Sequence, residues 1–231
     1  MNTVLVTGTN RGLGLEFCRQ YARAGWRVIA CCRGPEQASA LKRLASDNAN
    51  VQIYRLDVCD HATIDCLAEQ LADTAIDQLI ANAAYYGDCR GHGYGRLDYQ
   101  AWRTTLETNV LGAVKVAEAF TPHLRRRAKP LIVAVSSLMG SIADNNSGGS
   151  LLYRSSKAAL NAAMKSLAID LRSAGIGVLI FHPGWVKTDM GGPDALIDAE
   201  TSVAGMMKQI DVFDISQSGS FLNYDGAALP W

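Results

Sequence analysis

Short apolar runs alternate with amphipathic stretches along most of the chain. Residues 4–7 form an apolar run that leads through a glycine-rich turn into Leu13, Phe17 and Tyr21, spaced four apart on one helical face. Gly25 closes that helix. The pattern then predicts a strand at 27–32, a helix opened by Pro35 and running to about 44, and a strand at 51–56. A helix marked by Ile64, Leu67, Ala68 and Leu71 follows, then a strand at 76–81. Beyond a loop rich in Gly and Tyr at 85–95, a long helix is expected over about 98–126 and a wholly apolar strand at 131–135. A polar loop at 144–150 precedes a second long helix at about 151–173, and strands are expected at 178–181 and 221–224. Unbroken apolar strands alternating with helices indicate a parallel sheet covered on both faces. The expectation is one doubly wound α/β domain of Rossmann type over residues 1–231, with a mainly parallel seven-stranded sheet. Such sheets bind ligands at the carboxyl ends of their strands, where the strand order reverses.

Composition narrows the class. Of 231 residues, 48% are hydrophobic and 19% charged, enough for a substantial core and unlike a disordered or fibrous chain. The 22 basic and 22 acidic side chains cancel, so no bulk charge points to nucleic acid or an anionic membrane. No apolar run reaches the length of a membrane span, and the N-terminus lacks a leader pattern, which sets the expectation of a cytoplasmic protein. Six cysteines, none in a C-x-x-C pair, are expected to be buried free thiols, and no metal site is expected. His61, His92 and His123 show no ligand spacing, and His182 reads as a packed polar residue rather than a base. The run Arg125, Arg126, Arg127 and Lys129 reads as a solvated helix C-terminus.

Candidate chemistry follows the strands. Thr7-Gly8-Thr9-Asn10-Arg11-Gly12-Leu13-Gly14 joins the first strand to the first helix. Glycines there allow a tight turn and close approach of the backbone to a pyrophosphate, and the helix N-terminus offers free N–H groups and partial positive charge. Cys32 stands at the end of the second strand, where an NAD-selecting fold places an acid, and Arg33 follows it. Arg11 and Arg33 are expected to grip a 2′-phosphate together, which selects NADP(H). Asp57, after the third strand, is placed either to accept from the adenine amino group or to cap the helix that begins near His61.

Tyr153 and Lys157 lie four apart on one helical face, after Ser136-Ser137 at a strand end and Asn109 within the preceding long helix. A phenol titrating near 10 is a poor acid at neutral pH, and a neighbouring ammonium lowers that value. The tyrosine can then protonate a carbonyl oxygen, and Ser137 can stabilise the charge that develops on it. Ser136, its neighbour on the strand, is expected to point to the opposite face.

Together these elements resemble the short-chain dehydrogenase/reductase superfamily. The chain carries T-G-x-x-x-G-x-G at Thr7 to Gly14, D-V at Asp57-Val58, an N-A-x element at Asn82-Ala83-Ala84, and the helix asparagine Asn109. It also carries Ser137, Y-x-x-x-K at Tyr153 and Lys157, and P-G-x-V-x-T from Pro183 to Thr188. Within the superfamily it most resembles the short C-factor and sniffer-type carbonyl reductases. The cues are Cys32-Arg33, Gly140-Ser141-Ile142, Gly184-Trp185-Val186-Lys187-Thr188-Asp189-Met190 and the ending Leu229-Pro230-Trp231. Two departures stand out: Ala84 replaces the usual glycine, and Ser137 and Tyr153 are 16 positions apart, more than is common.

The resemblance implies a catalytic tetrad of Asn109, Ser137, Tyr153 and Lys157. Tyr153 is the acid/base, Lys157 binds the nicotinamide ribose and lowers the tyrosine pKa, and Asn109 holds a water that links Lys157 to solvent. It implies cofactor contacts from Gly8, Asn10, Arg11, Gly12, Leu13, Gly14, Arg33, Asp57, Val58, Asn82, Ala83, Ala84, Tyr153, Lys157, Pro183, Gly184, Val186 and Thr188. The implied activity is NADPH-dependent reduction of small-molecule carbonyl compounds. The alternative is a C-factor-like cell–cell signalling or dinucleotide-sensing protein with little turnover. Residues 190–212 are expected to cover the substrate, and Tyr85, Tyr86, Tyr94 and Trp185 either line its cleft or simply pack. Small residues on the two long helices (Ala113, Ala117, Ala119; Ala158, Ala159, Ala162, Ala163) suggest a homodimer or homotetramer.

Overall fold

In the computed structural model, which describes residues 1–89, 91 and 93–231, seven strands form one parallel sheet. His92 lies outside the described residues. The strands are β1 (Thr3–Thr7), β2 (Arg27–Cys32), β3 (Val51–Arg55), β4 (Gln78–Ala81), β5 (Leu131–Val135), β6 (Gly177–His182) and β7 (Ser220–Asn223). Their order is β3-β2-β1-β4-β5-β6-β7, and each neighbouring pair runs parallel. After β3 the chain crosses back past β1 to place β4, so the order reverses between β1 and β4, and a crevice opens at their carboxyl ends.

The period of two along each strand divides its side chains between two cores. Leu5, Ile29, Leu79, Ile132 and Ile180 face one side, against Val116 and Phe120 of helix α5 (Gly112–Leu124) and Leu160 and Met164 of α6 (Leu151–Asp170). Val4, Val6, Val28, Ile80, Val133 and Phe181 face the other, against Phe17 and Tyr21 of α1 (Gly12–Arg23), Leu41 of α2 (Ser39–Asp47) and Val203 and Met206 of α7 (Ala199–Asp211). Helix α3 (His61–Gln70) joins the first layer through Ile64 and Leu67.

Several expectations are corrected. The long helix expected over 98–126 is α4 (Tyr99–Leu106), a widened π turn (Glu107–Leu111) and α5 in succession. Pro35 opens only a short 3-10 turn (Pro35–Gln37) before α2. The segment 190–212 divides: Met190 and Gly191 border the crevice, whereas α7 packs its apolar side onto the sheet, with Val203 and Met206 fully buried. Only Cys18, Cys31 and Cys32 are buried thiols; Cys59 is half-buried, and Cys66 and Cys89 are exposed. Arg127 is not simply solvated, because its Nε lies 3.2 Å from the Asp77 carboxylate. Among the described residues no helix is long and apolar enough to cross a membrane.

Candidate active site

The crevice is a cleft of about 1180 Å³ that runs from the end of β2 past the glycine turn to the ends of β5 and β6. The glycine turn forms its floor. Gly8 (φ +71°) and Gly12 (φ +57°) adopt left-handed conformations that glycine tolerates. A Cβ on Gly14 would stand 2.2 Å from the Gly8 carbonyl oxygen, so only glycine lets α1 start this close to β1. Asn82 joins the turn to β4: its Nδ2 donates to the carbonyls of Thr7 (2.9 Å) and Gly8 (3.3 Å), and the Thr7 hydroxyl accepts from the backbone N–H groups of Asn82 and Ala83. Asn10, Leu13, Val58, Ala83 and Ala84 all line the same cleft.

At the far end, Cys32, Arg33 and Asp57 border the cleft. Asp57 is not the helix cap. Its Oδ1 accepts from the Cys59 N–H (3.0 Å), while Asp60 caps α3 by accepting from Thr63. Asp57 is thus left facing the cavity. Arg11 donates to Asp189 at 2.6 Å across the mouth of the cleft, whereas among the described residues Arg33 has no ion-pair partner. Thr188 packs over the turn, 3.5 Å from where a Gly12 Cβ would stand. Pro183, Gly184 and Val186 complete that side, with the Pro183 carbonyl held by the Ser202 hydroxyl of α7 (2.5 Å).

Ser137, Tyr153 and Lys157 lie on one wall. Ser137 ends β5 and opens a 3-10 turn (Leu138–Gly140), and its Oγ accepts from the Met139 N–H at 3.1 Å. Ser136 points away, donating to Asn161 Oδ1 at 2.5 Å. That turn lies so close to α6 that a Cβ on Gly140 would stand 2.7 Å from the Lys157 carbonyl carbon. Lys157 Nζ donates to the Val135 carbonyl (2.8 Å) and lies 5.6 Å from the centre of the Tyr153 ring.

Burial dominates the electrostatics of the pair. It pushes the Tyr153 phenol above its ordinary value, opposed in part by the Ser137 hydroxyl. It pushes the Lys157 ammonium down to about 7. Desolvation thus acts on both groups toward their uncharged forms, and Lys157 directs a proton to the Val135 carbonyl. His182 also lines the cleft and is held down to about 4 by burial, as suits a packed neutral ring.

Asn109 sits in the π turn, fully buried. Its Oδ1 accepts from the Tyr85 N–H (2.7 Å), and its Nδ2 donates to the Tyr85 carbonyl (2.9 Å) and to Ser156 Oγ on α6 (2.9 Å). The carboxamide does not touch Lys157; it ties the loop after β4 to the helix that carries Tyr153. Tyr85, Tyr86 and Trp185 line the cleft, whereas Tyr94 is 97% exposed and does not. Asp88 and Ser150, which the motifs did not mark, meet the start of α6. Their signal lies in contacts between distant segments, which spacing along the chain does not show.

The chain is 44% identical over 156 residues to C-signal from Myxococcus xanthus, a match covering 68% of this chain and 93% of that protein. The carbonyl reductase Sniffer of D. melanogaster superposes with a TM-score of 0.92 at 35% identity, over 100% of both chains. An NADPH-bound carbonyl reductase from chicken fatty liver superposes at 0.93 and 34%, over 100% of this chain and 99% of that one. The family model described as short chain dehydrogenase matches residues 2–195, a span that holds the glycine turn, Asn109, Ser137, Tyr153 and Lys157. The chain is an oxidoreductase-type protein belonging to the short-chain dehydrogenase/reductase family.

Proposed function

We propose that the protein is a cytoplasmic, NADPH-dependent reductase of small-molecule carbonyl compounds. The observation that carries this reading is the convergence of Ser137, Tyr153 and Lys157 on a cleft whose other end is the glycine turn with Cys32 and Arg33. The fit to a dinucleotide rests on the tight turn at Gly8 and Gly14 and on the absence of an acid at position 32. Gly8 to Gly14, Arg33, Asp57, Asn82, Lys157 and Thr188 would hold the cofactor, which supplies the reducing equivalents when bound. Ser137 orients the substrate carbonyl oxygen, and Tyr153 delivers the proton to that oxygen. The carbonyl reductases among the superposed structures support the same assignment.

The likeness to C-signal favours a second reading, a signalling or dinucleotide-sensing protein with little turnover. One experiment separates the two: NADPH oxidation with a panel of aldehydes, ketones and quinones, in wild type and in Tyr153→Phe. The reductase reading expects turnover that falls by about two to four orders of magnitude in the variant, with NADPH binding retained. No turnover by the wild type favours the second, and equal turnover by both proteins removes Tyr153 as the proton donor. We extend the proposal to a homodimer or homotetramer. Ala113 and Ala117 face the sheet and carry no part of it, but Ala158, Ala159, Ala162 and Ala163 of α6 stay at least partly accessible. Light scattering at micromolar concentration reads the assembly.

A further inference from the structure

We propose that Asp88 is a positioning residue for Tyr153, acting as a cap supplied to α6 from the loop after β4; this rests on the reductase reading above. A helix begins with N–H groups that have no partner within it. The residue before α6 is Ser150, in a left-handed conformation (φ 43°), and its own side chain caps nothing. Asp88, more than sixty positions earlier, fills the gap. One carboxylate oxygen accepts from the Tyr153 N–H at 2.8 Å and the other from the Leu152 N–H at 3.3 Å. A negative charge there also complements the helix dipole.

The contact falls on the backbone of the proton donor itself. The rest of the loop braces it: the Tyr86 hydroxyl meets Ser150 Oγ at 2.7 Å, and the Tyr86 ring lies 4.9 Å from the Tyr153 ring. Asn109 fixes the start of the loop through both backbone groups of Tyr85. Gly87 (φ +76°) turns it so tightly against α4 that a Cβ would stand 2.0 Å from Thr105 Oγ1. Asn109 and Asp88 thus hold one helix at two points, Asn109 through Ser156 and Asp88 through Tyr153. If the cap is lost, the first turn of α6 is free to shift the phenol relative to Ser137, while Lys157, one turn further on and anchored to the Val135 carbonyl, and the cofactor-holding residues on β1, β2 and β4 keep their places.

The test compares wild type with Asp88→Ala, Asp88→Asn and Asp60→Ala, the last removing a cap of the same kind from α3, away from the cleft lining. Asp88→Ala is expected to lower kcat roughly 10- to 100-fold, as a displaced reacting group does, with the NADPH Kd unchanged. Asp88→Asn keeps an acceptor for the Tyr153 N–H and is expected to stay within about three-fold of wild type. Asp60→Ala is expected to lose thermal stability but not kcat. The proposal is overturned if Asp88→Ala retains wild-type kcat, if Asp88→Asn falls as far as Asp88→Ala, or if Asp60→Ala loses turnover equally. Should Asp88→Ala not fold, a fall in Asp88→Asn beyond about three-fold at unchanged NADPH affinity overturns it. A wild-type protein that reduces nothing sinks the reductase reading instead. Amide exchange at Leu152 and Tyr153 then decides the cap: faster exchange in Asp88→Ala supports it, and unchanged exchange overturns it.

Discussion

Burial acts on Tyr153 and Lys157 toward their uncharged forms, and for the lysine this has a consequence for stability. The folded-state value of Lys157 is pushed down to about 7 from an ordinary 10.5. Between those two values the unfolded chain binds a proton at this site that the folded chain does not, so stability rises as pH climbs through the window. Below pH 7 the full cost of burying the ammonium is felt. One pH unit of such a difference is about 1.4 kcal/mol, or roughly 3 to 6 °C of Tm in a domain this size. The ligand-free wild type should therefore gain more Tm between pH 7 and pH 9 than Lys157→Met does. Parallel Tm–pH curves for the two proteins would show that Lys157 keeps its charge in the fold. At lower pH the sign is set by His182: its value near 4 makes stability fall as pH drops from about 6.5 toward 4.

At the scale of elements, the turn between β1 and α1 limits what the sheet can carry. Gly14→Ala would set a methyl group against the Gly8 carbonyl and the Asn82 carboxamide, both of them fixed. Overpacking of this kind costs about 1–3 kcal/mol, and the turn would open and lose NADPH affinity as well. Urea melts and a fluorescence titration with NADPH measure both effects; a variant with wild-type values in each means that the turn has room to give. The strands were legible in the sequence because buried parallel strands are continuous apolar runs, and so were Tyr153 and Lys157 because helical spacing puts both on one face. The π turn was not, since Glu107 to Leu111 contain no proline or glycine to mark a change of helix. Nor was the role of α7: its apolar stripe shows that it packs, but not that it packs on the sheet rather than over the substrate. Asp88 escaped for a related reason, because a cap given by a distant loop leaves no trace at the helix start.

For the molecule as a whole the charges cancel, so any salt-dependent preference between cofactors must arise locally, at the adenosine end of the cleft. Cys32, buried there, offers no carboxylate to ribose hydroxyls and none to repel a phosphate. Arg33 borders the same end without an ion-pair partner among the described residues, whereas Arg11 is engaged by Asp189. The two arginines should therefore contribute unequally, since a phosphate must compete with Asp189 for Arg11 but not for Arg33. Charge-assisted hydrogen bonds contribute roughly 1.5–3 kcal/mol each, reduced where solvent reaches them, which leads to an NADPH preference over NADH of about 10- to 1,000-fold. Arg33→Ala should lose most of that preference and leave NADH binding alone. Arg11→Ala should lose less, and the preference should shrink at high salt. Cys32→Asp should move selectivity toward NADH by repulsion. Equal NADH and NADPH dissociation constants for the wild type at low ionic strength would remove the case for an NADPH enzyme, and a larger loss in Arg11→Ala than in Arg33→Ala would reverse the order of the two arginines.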